Sequence, residues 1–139
     1  MTRALLAVPT FVFALAVSVP AWAVDWDAVA DEAQITVITT NEDASQRETT
    51  IWLVVLDGEG YIRTSRTRWG RNMERDPNLV LRIAGTEYPL RAERVLDEGL
   101  HERVKSRFRE KYGFWDRCTG LMRGLMGGGK IYHVMPRSD

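Results

Sequence analysis

Four arginines and three hydroxyl side chains crowd residues 63–71, Arg63-Thr64-Ser65-Arg66-Thr67-Arg68-Trp69-Gly70-Arg71. Planar guanidinium forks and hydroxyl donors are the groups that grip phosphate oxygens. A charge-assisted hydrogen bond contributes about 1.5–3 kcal/mol, so two or three of them would anchor a phosphate. The competing reading is a solvated edge whose arginines pair with Glu74 and Asp76, contacts that contribute little when exposed. Strand alternation divides the run, with Tyr61, Arg63 and Ser65 on one face and Ile62, Thr64 and Arg66 on the other. Arg68 and Arg71 would then reach back from the segment that follows. Of the tryptophans nearby, Trp52 sits in an apolar run and reads as core. Trp69 sits among polar residues and reads as a ring for a ligand or for a subunit interface.

The rest of the chain offers little other chemistry. His101 and His133 are the only histidines, and neither lies in a cluster of metal-type ligands, so no metal site is expected. Either could serve as an axial haem ligand, since one histidine suffices. No nucleophile–base pair is readable, and the catalytic residues are unknown. Gly127-Gly-Gly-Lys130 lacks the spacing of a phosphate loop and precedes a strand, so it reads as a linker. Cys118 is the single cysteine. It excludes an intrachain disulfide and leaves a buried thiol or an intermolecular bridge.

Residues 1–23 carry a positive start at Arg3, an apolar stretch from Ala4 to Val19 and the small-x-small pattern Ala21-Trp22-Ala23. This reads as a secretory signal cut after Ala23. The stretch is short for a membrane anchor, and no second apolar stretch follows. An exported protein, periplasmic or extracellular and free of the membrane after cleavage, is expected. Removing 23 of 139 residues leaves 116, one domain over residues 24–139. With Arg3 gone, 18 basic residues face 19 acidic ones, too even a balance for broad nucleic-acid binding.

The elements that must position the arginines follow from periodicity. Asp25 caps a short helix from Trp26 to about Ala33, and Gln34 to Thr40 reads as a strand. Glu48 to Leu56 is a second strand, whose apolar run Ile51-Trp-Leu-Val-Val-Leu56 implies burial on both faces. Asp57-Gly58-Glu59-Gly60 turns the chain into a returning strand, Tyr61 to Arg66. Thr67 to Asp76 breaks the pattern and could include a helical turn. Asn78 to Ile83 and Glu87 to Val95 form a second hairpin, with Pro89 marking a free edge or a bulge. Leu100, Val104, Phe108 and Tyr112 stripe a helix that starts at Asp97 and is expected to stop at Gly113. Phe114 to Met126 could form a second helix, weakened by Gly120 and Gly124. Lys130 to Met135 is a last strand. The expectation is a mainly β (α+β) fold: a six-stranded antiparallel split β-barrel with one clear amphipathic helix and short flanking helices.

Thr49-Thr50-Ile51-Trp52-Leu-Val-Val-Leu-Asp-Gly58, Tyr61-Ile-Arg-Thr-Ser65, Asp76-Pro-Asn-Leu-Val80, Gly85-x-x-Tyr88, Ala92 and Lys111-Tyr-Gly113 together resemble the split-barrel flavin-binding superfamily. That group includes pyridoxamine 5′-phosphate oxidase-like proteins and deazaflavin-dependent nitroreductases. The resemblance covers roughly Ile35 to Gly113. It implies a homodimer with a cofactor in a cleft between subunits. It assigns the cofactor phosphate to Arg63, Thr64, Ser65, Arg68 and Arg71, and the edge beside the isoalloxazine ring to Thr49, Thr50 and Trp52. Where the oxidases often use a lysine after the third strand, only arginines are available here, and Thr50 stands where a proline is common.

The functional expectation is an exported split-barrel protein holding flavin mononucleotide or a deazaflavin, with the cofactor carrying the hydride. The alternatives are a non-enzymatic periplasmic binding module for flavin, haem or another anionic ligand, and an interaction protein whose barrel holds no ligand. The residues leave enzyme and binding module both open.

Overall fold

The computed structural model describes residues 24–119 and 129–137. The elements are α1 (Trp26–Val29), β1 (Ile35–Thr40), β2 (Gln46–Ile51), β3 (Leu53–Leu56), β4 (Glu59–Thr64), α2 (Arg68–Arg75), β5 (Asn78–Ile83), β6 (Thr86–Arg94), α3 (Glu98–Thr119) and β7 (Lys130–Pro136). The expected signal segment, Gly120, Gly124 and most of the glycine linker lie outside the described residues, as does the side chain of Cys118.

The strands form one curled antiparallel sheet in the order β2-β1-β5-β6-β7-β4-β3. The described residues form seven strands, where six were expected, because the run Glu48 to Leu56 breaks at Trp52. On one side of the break Ile51 pairs with Ile35 of β1. On the other side Leu53 pairs with Ile62 of β4. One bent strand therefore supplies both edges of the sheet, and the half-barrel closes through a covalent link. The alternation runs through the bend unchanged. Ile51, Leu53 and Val55 point into the barrel interior, while Trp52, Val54 and Leu56 pack under α3. This is why the whole stretch is apolar.

The turns obey local stereochemistry. Asp57 and Gly58 have φ of 52° and 72°, the paired positive values of a two-residue hairpin. Ala84 and Gly85, at 49° and 82°, repeat this in the β5–β6 hairpin. That hairpin sets Leu79 opposite Leu90 and Leu81 opposite Tyr88, as the alternation predicts. Pairing of β6 with β7 begins at Leu90, so Pro89 has no β7 neighbour needing its missing N–H.

Asp25 accepts from the Ala28 N–H at 3.2 Å and starts α1. Trp26 then lies flat on Gly60, where a Cβ would come within 2.5 Å of the indole. At the other end of β4 sits α2, whose Trp69 and Met73 enter the interior cluster. Trp69 is 6% exposed, so it belongs to the core and to neither a ligand face nor a subunit interface. Asp97 caps α3 through the Leu100 N–H at 2.7 Å. Val104, Phe108 and Tyr112 are buried, as the stripe requires. Gly113 does not stop the helix, which continues to Thr119. A glycine costs a helix interior about 1 kcal/mol relative to alanine, and the packing of Tyr112 outweighs that.

Tyr112 and Lys111 fasten the bend. The Tyr112 hydroxyl accepts from the Leu53 N–H at 3.2 Å and lies within donating distance of the Ala33 carbonyl (2.9 Å) and the Leu53 carbonyl (3.0 Å). Its ring stacks on Trp52 with centroids 4.0 Å apart. Lys111 Nζ donates to the carbonyls of Glu32 and Leu53, both at 2.7 Å. Burial raises the Tyr112 pKa and lowers that of Lys111. Tyr112→Phe keeps the stack and removes the hydroxyl, leaving the buried Leu53 N–H without its acceptor. The expected loss is about 1–3 kcal/mol, read as a lower urea midpoint with an unchanged m value.

Candidate functional site

The polar stretch Thr67 to Asp76 becomes helix α2 because Thr67 caps it. Thr67 is extended (φ −115°, ψ 162°), and its Oγ1 accepts from the Gly70 N–H at 3.2 Å. Thr64 completes the cap. It donates to the Ser65 carbonyl at 2.9 Å and lies 3.1 Å from Thr67 Oγ1. Since Thr64 spends its one proton on the carbonyl, Thr67 is the donor between the two hydroxyls. A Cβ at Gly70 would run into Thr64 Oγ1, so the first turn of α2 is seated directly on the end of β4.

The helix turns Trp69 and Met73 inward and Arg68 and Arg71 outward. Asn72 is the exception, a polar side chain only 6% exposed. Its Nδ2 donates to Thr39 Oγ1 at 3.1 Å and to Asn41 Oδ1 at 2.8 Å. Its Oδ1 accepts from Arg75 Nη2 at 3.3 Å. Arg75 also donates to the Thr40 carbonyl at 2.5 Å and lies 3.6 Å from Glu42 Oε1. Asn72 thus joins α2 to the end of β1 and to the turn before β2. That turn is fixed by Asp43, which accepts from the backbone N–H and hydroxyl of Ser45 at 3.0 and 2.5 Å. The hydroxyl contact, followed by the backbone one, holds the Asp43 carboxyl below its ordinary value.

Between α2 and this turn lies an open cleft of about 490 Å³. Arg68, Arg71, Asn72 and Arg75 form the helical wall, and Asn41, Glu42, Asp43 and Arg47 form the opposite wall. Four guanidiniums face two carboxylates, and among the described residues no aromatic or aliphatic side chain lines the space. Arg47 Nε donates to Asn41 Oδ1 at 3.4 Å. Arg68 and Arg71 form no hydrogen bond or ion pair with the described residues. Such a donor set suits an oxyanion with several acceptor oxygens.

The structure separates the residues singled out from the sequence. Arg68 and Arg71 share the cleft. Arg63 lies on the other face of β4, against Gly129, where a Cβ would come 2.6 Å from its Nε. Thr64 is buried in the cap of α2, and the Ser65 carbonyl accepts from Thr64 and from the Thr67 N–H (2.8 Å). On β2, Thr49 is half-buried opposite Val37, and Thr50 is exposed opposite Thr36. One face of the Trp52 ring is taken by Tyr112. Glu74 pairs with Lys130 of β7, not with the arginine run. His133 meets Glu59 at 2.8 Å and stacks on Tyr61. Neither histidine lines the cleft.

Arg47, Arg75 and Asn72 do not stand out in the sequence, yet one signal was present. Residues 68, 71, 72 and 75 follow i, i+3, i+4, i+7, a single helical face. Reading Thr67 to Asp76 as a full helix would have gathered them.

A model for a family described as "Uncharacterized protein conserved in bacteria (DUF2255)" matches residues 25–124. The chain belongs to that family. No curated protein matches the sequence. Among solved structures, this DUF2255 chain is similar to HutZ, the haem storage protein of Vibrio cholerae. The TM-score is 0.63 at 14% identity, over 81% of this chain and 88% of that one. It is also similar to an F420-H2-dependent reductase, FDR-A (TM-score 0.60, 14% identity, 75% and 95% covered). A third is a FAD-binding protein of Mesorhizobium loti (TM-score 0.58, 10% identity, 81% and 87% covered). At these identities the likeness is one of fold: the DUF2255 chain has a split-barrel architecture.

The seat of α2 on β7 has a pH dependence with a defined sign. The hydrogen bond from Lys130 holds the Glu74 carboxyl below its ordinary 4.5. A lowered folded value means that the contact stabilises above about pH 4.5 and is lost as pH falls through the folded value. Glu74→Gln should therefore have a lower urea midpoint than wild type at about pH 7, and the difference should vanish as the pH falls through the folded value of Glu74.

Proposed function

We propose that this DUF2255 chain is an exported split-barrel protein that binds a phosphorylated flavin-type cofactor, flavin mononucleotide or a deazaflavin, through the arginine cleft. One observation carries the reading. Arg68 and Arg71 project into a polar cleft without partners among the described residues, beside Arg47 and Arg75. The donor set fits a phosphate. The lining, free of apolar side chains, fits the cofactor's phosphate tail and not its ring. The ring would lie outside the cleft, along the edge carrying Thr49 and Thr50. A FAD-binding protein and an F420-H2-dependent reductase of this fold support the ligand class.

In this reading the bound cofactor supplies hydride transfer, and the protein binds and orients it. Arg68 and Arg71 neutralise the phosphate, while α2 holds them at the barrel end. No acid or base side chain is required, in keeping with the absence of a readable catalytic set in the sequence. A homodimer completing the site from a second subunit belongs to the same proposal. Haem binding is the second reading, favoured by the fold shared with HutZ. It would need His101 or His133, and neither is a residue of the cleft.

The test is an absorption spectrum of the purified protein followed by titration with flavin mononucleotide, the deazaflavin cofactor and haem in turn. The expected result is saturable binding of one of the first two. Arg68→Ala and Arg71→Ala should each weaken that binding by at least about tenfold, and Arg63→Ala should change it little. Tight binding of haem alone would favour the second reading. Binding of none of the three below about 1 mM would overturn both.

A further inference from the structure

The cleft holds two kinds of guanidinium. Arg68 and Arg71 have no partner among the described residues, whereas Arg75 and Arg47 are steered from opposite walls. Arg75 is directed by the Thr40 carbonyl and Asn72 Oδ1. Arg47 is directed by Asn41 Oδ1. Both lines of steering meet in one contact, Asn72 Nδ2 to Asn41 Oδ1 at 2.8 Å. A buried amide that spends its hydrogen bonds this way does more than cap a helix, since the groups it holds are those that aim two charged forks into the cleft. An oriented guanidinium loses less freedom when it binds an oxyanion than a free one does. A terminal phosphate presents several acceptor oxygens and can be met from both sides at once.

We propose that the cleft is a two-walled phosphate site. In it Arg47 of β2 binds the phosphate opposite Arg68 and Arg71, and Asn72 is the positioning residue that sets the two walls against each other. This rests on reading the cleft as the place of the cofactor phosphate, but its test needs no flavin. Four guanidiniums against two carboxylates leave the lining with two excess positive charges, the match for a phosphate monoester dianion. The site would thus accept inorganic phosphate by itself.

The test is calorimetric titration of the purified protein with inorganic phosphate, with thermal unfolding of each variant recorded in parallel. Arg47→Ala should weaken phosphate binding by at least about tenfold. Arg109→Ala, which removes the same charge from exposed α3, should leave it unchanged. Asn72→Ala should also weaken binding by about tenfold. Asn41→Ala cuts the same relay from the turn side and serves if Asn72→Ala does not fold. Thr39→Val removes the other hydrogen bond that Asn72 Nδ2 donates, and should lower the melting temperature while keeping phosphate affinity. Three results would overturn the proposal: no phosphate binding to wild type below about 1 mM, wild-type affinity in Arg47→Ala, or relay variants that change stability alone. The outcome is separable from the cofactor reading. Flavin binding that depends on Arg68 and Arg71 but not on Arg47 or Asn72 would remove the two-walled site and leave the cofactor. Arg47-dependent phosphate binding without any flavin affinity would support the site and remove the cofactor.

Discussion

The bend at Trp52 is the constraint on which the structure depends. It makes one strand serve as both edges of the sheet, pairing Ile51 with β1 and Leu53 with β4. An open sheet of this size would present unpaired edges that invite association. Here the bend at Trp52 joins the two edge segments in one chain. The bend is held from outside by α3. Tyr112 and Lys111 saturate the Leu53 backbone on both its N–H and its carbonyl. Trp52, turned outward at the corner, stacks on Tyr112 and so cannot swing into the barrel. A kinked main chain whose polar groups are met by side chains is far less costly than one left unsatisfied.

Closing the barrel also defines its ends, and the candidate site belongs to one of them. Trp26 covers the start of β4 at Gly60, and α2 covers its end at Thr64. Because α2 is short, its place is fixed by neighbours more than by helix propensity. Thr64, Thr67 and Gly70 fix its first turn, Trp69 and Met73 bury its inner face, Asn72 ties it to β1, and Glu74 reaches Lys130 on β7. With every inward position committed, the arginines are left to face the turn before β2. The cleft is therefore a consequence of how the barrel end is plugged, and its charge comes from side chains the core has no use for.

Much of the fold was legible because it rests on local rules. Gly58 and Gly85 announce hairpins because glycine accepts positive φ, and the Leu100–Tyr112 stripe announces α3. The break at Trp52 was not legible, since inward–outward alternation passes through it undisturbed and only strand pairing reveals it. Gly113 misled because a stop signal gives way when the preceding turn is anchored by packing. Trp69 misled because the polar residues around it are those of an amphipathic helix whose inner face cannot be read from two apolar positions. Of the cleft residues, Arg68 and Arg71 stood out in the sequence as part of the arginine run, and the resemblance assigned them to a phosphate. Asn72 did not, since its partners Thr39 and Asn41 lie 33 and 31 residues away, and a lone asparagine carries no periodic signal. Arg47 shares a wall with α2 only after β1 and β2 have paired.

The central claim is that the end of the barrel plugged by α2 holds the phosphate of a flavin-type cofactor. The most direct measurement is the side-chain Nε–H spectrum of arginine-labelled protein during titration with flavin mononucleotide, with riboflavin as the phosphate-free control. The account predicts that flavin mononucleotide shifts the signals of Arg47, Arg68, Arg71 and Arg75, while riboflavin leaves all four in place. Shifts confined to arginines elsewhere, such as Arg103 and Arg107 on α3, or equal shifts with both ligands, would contradict it.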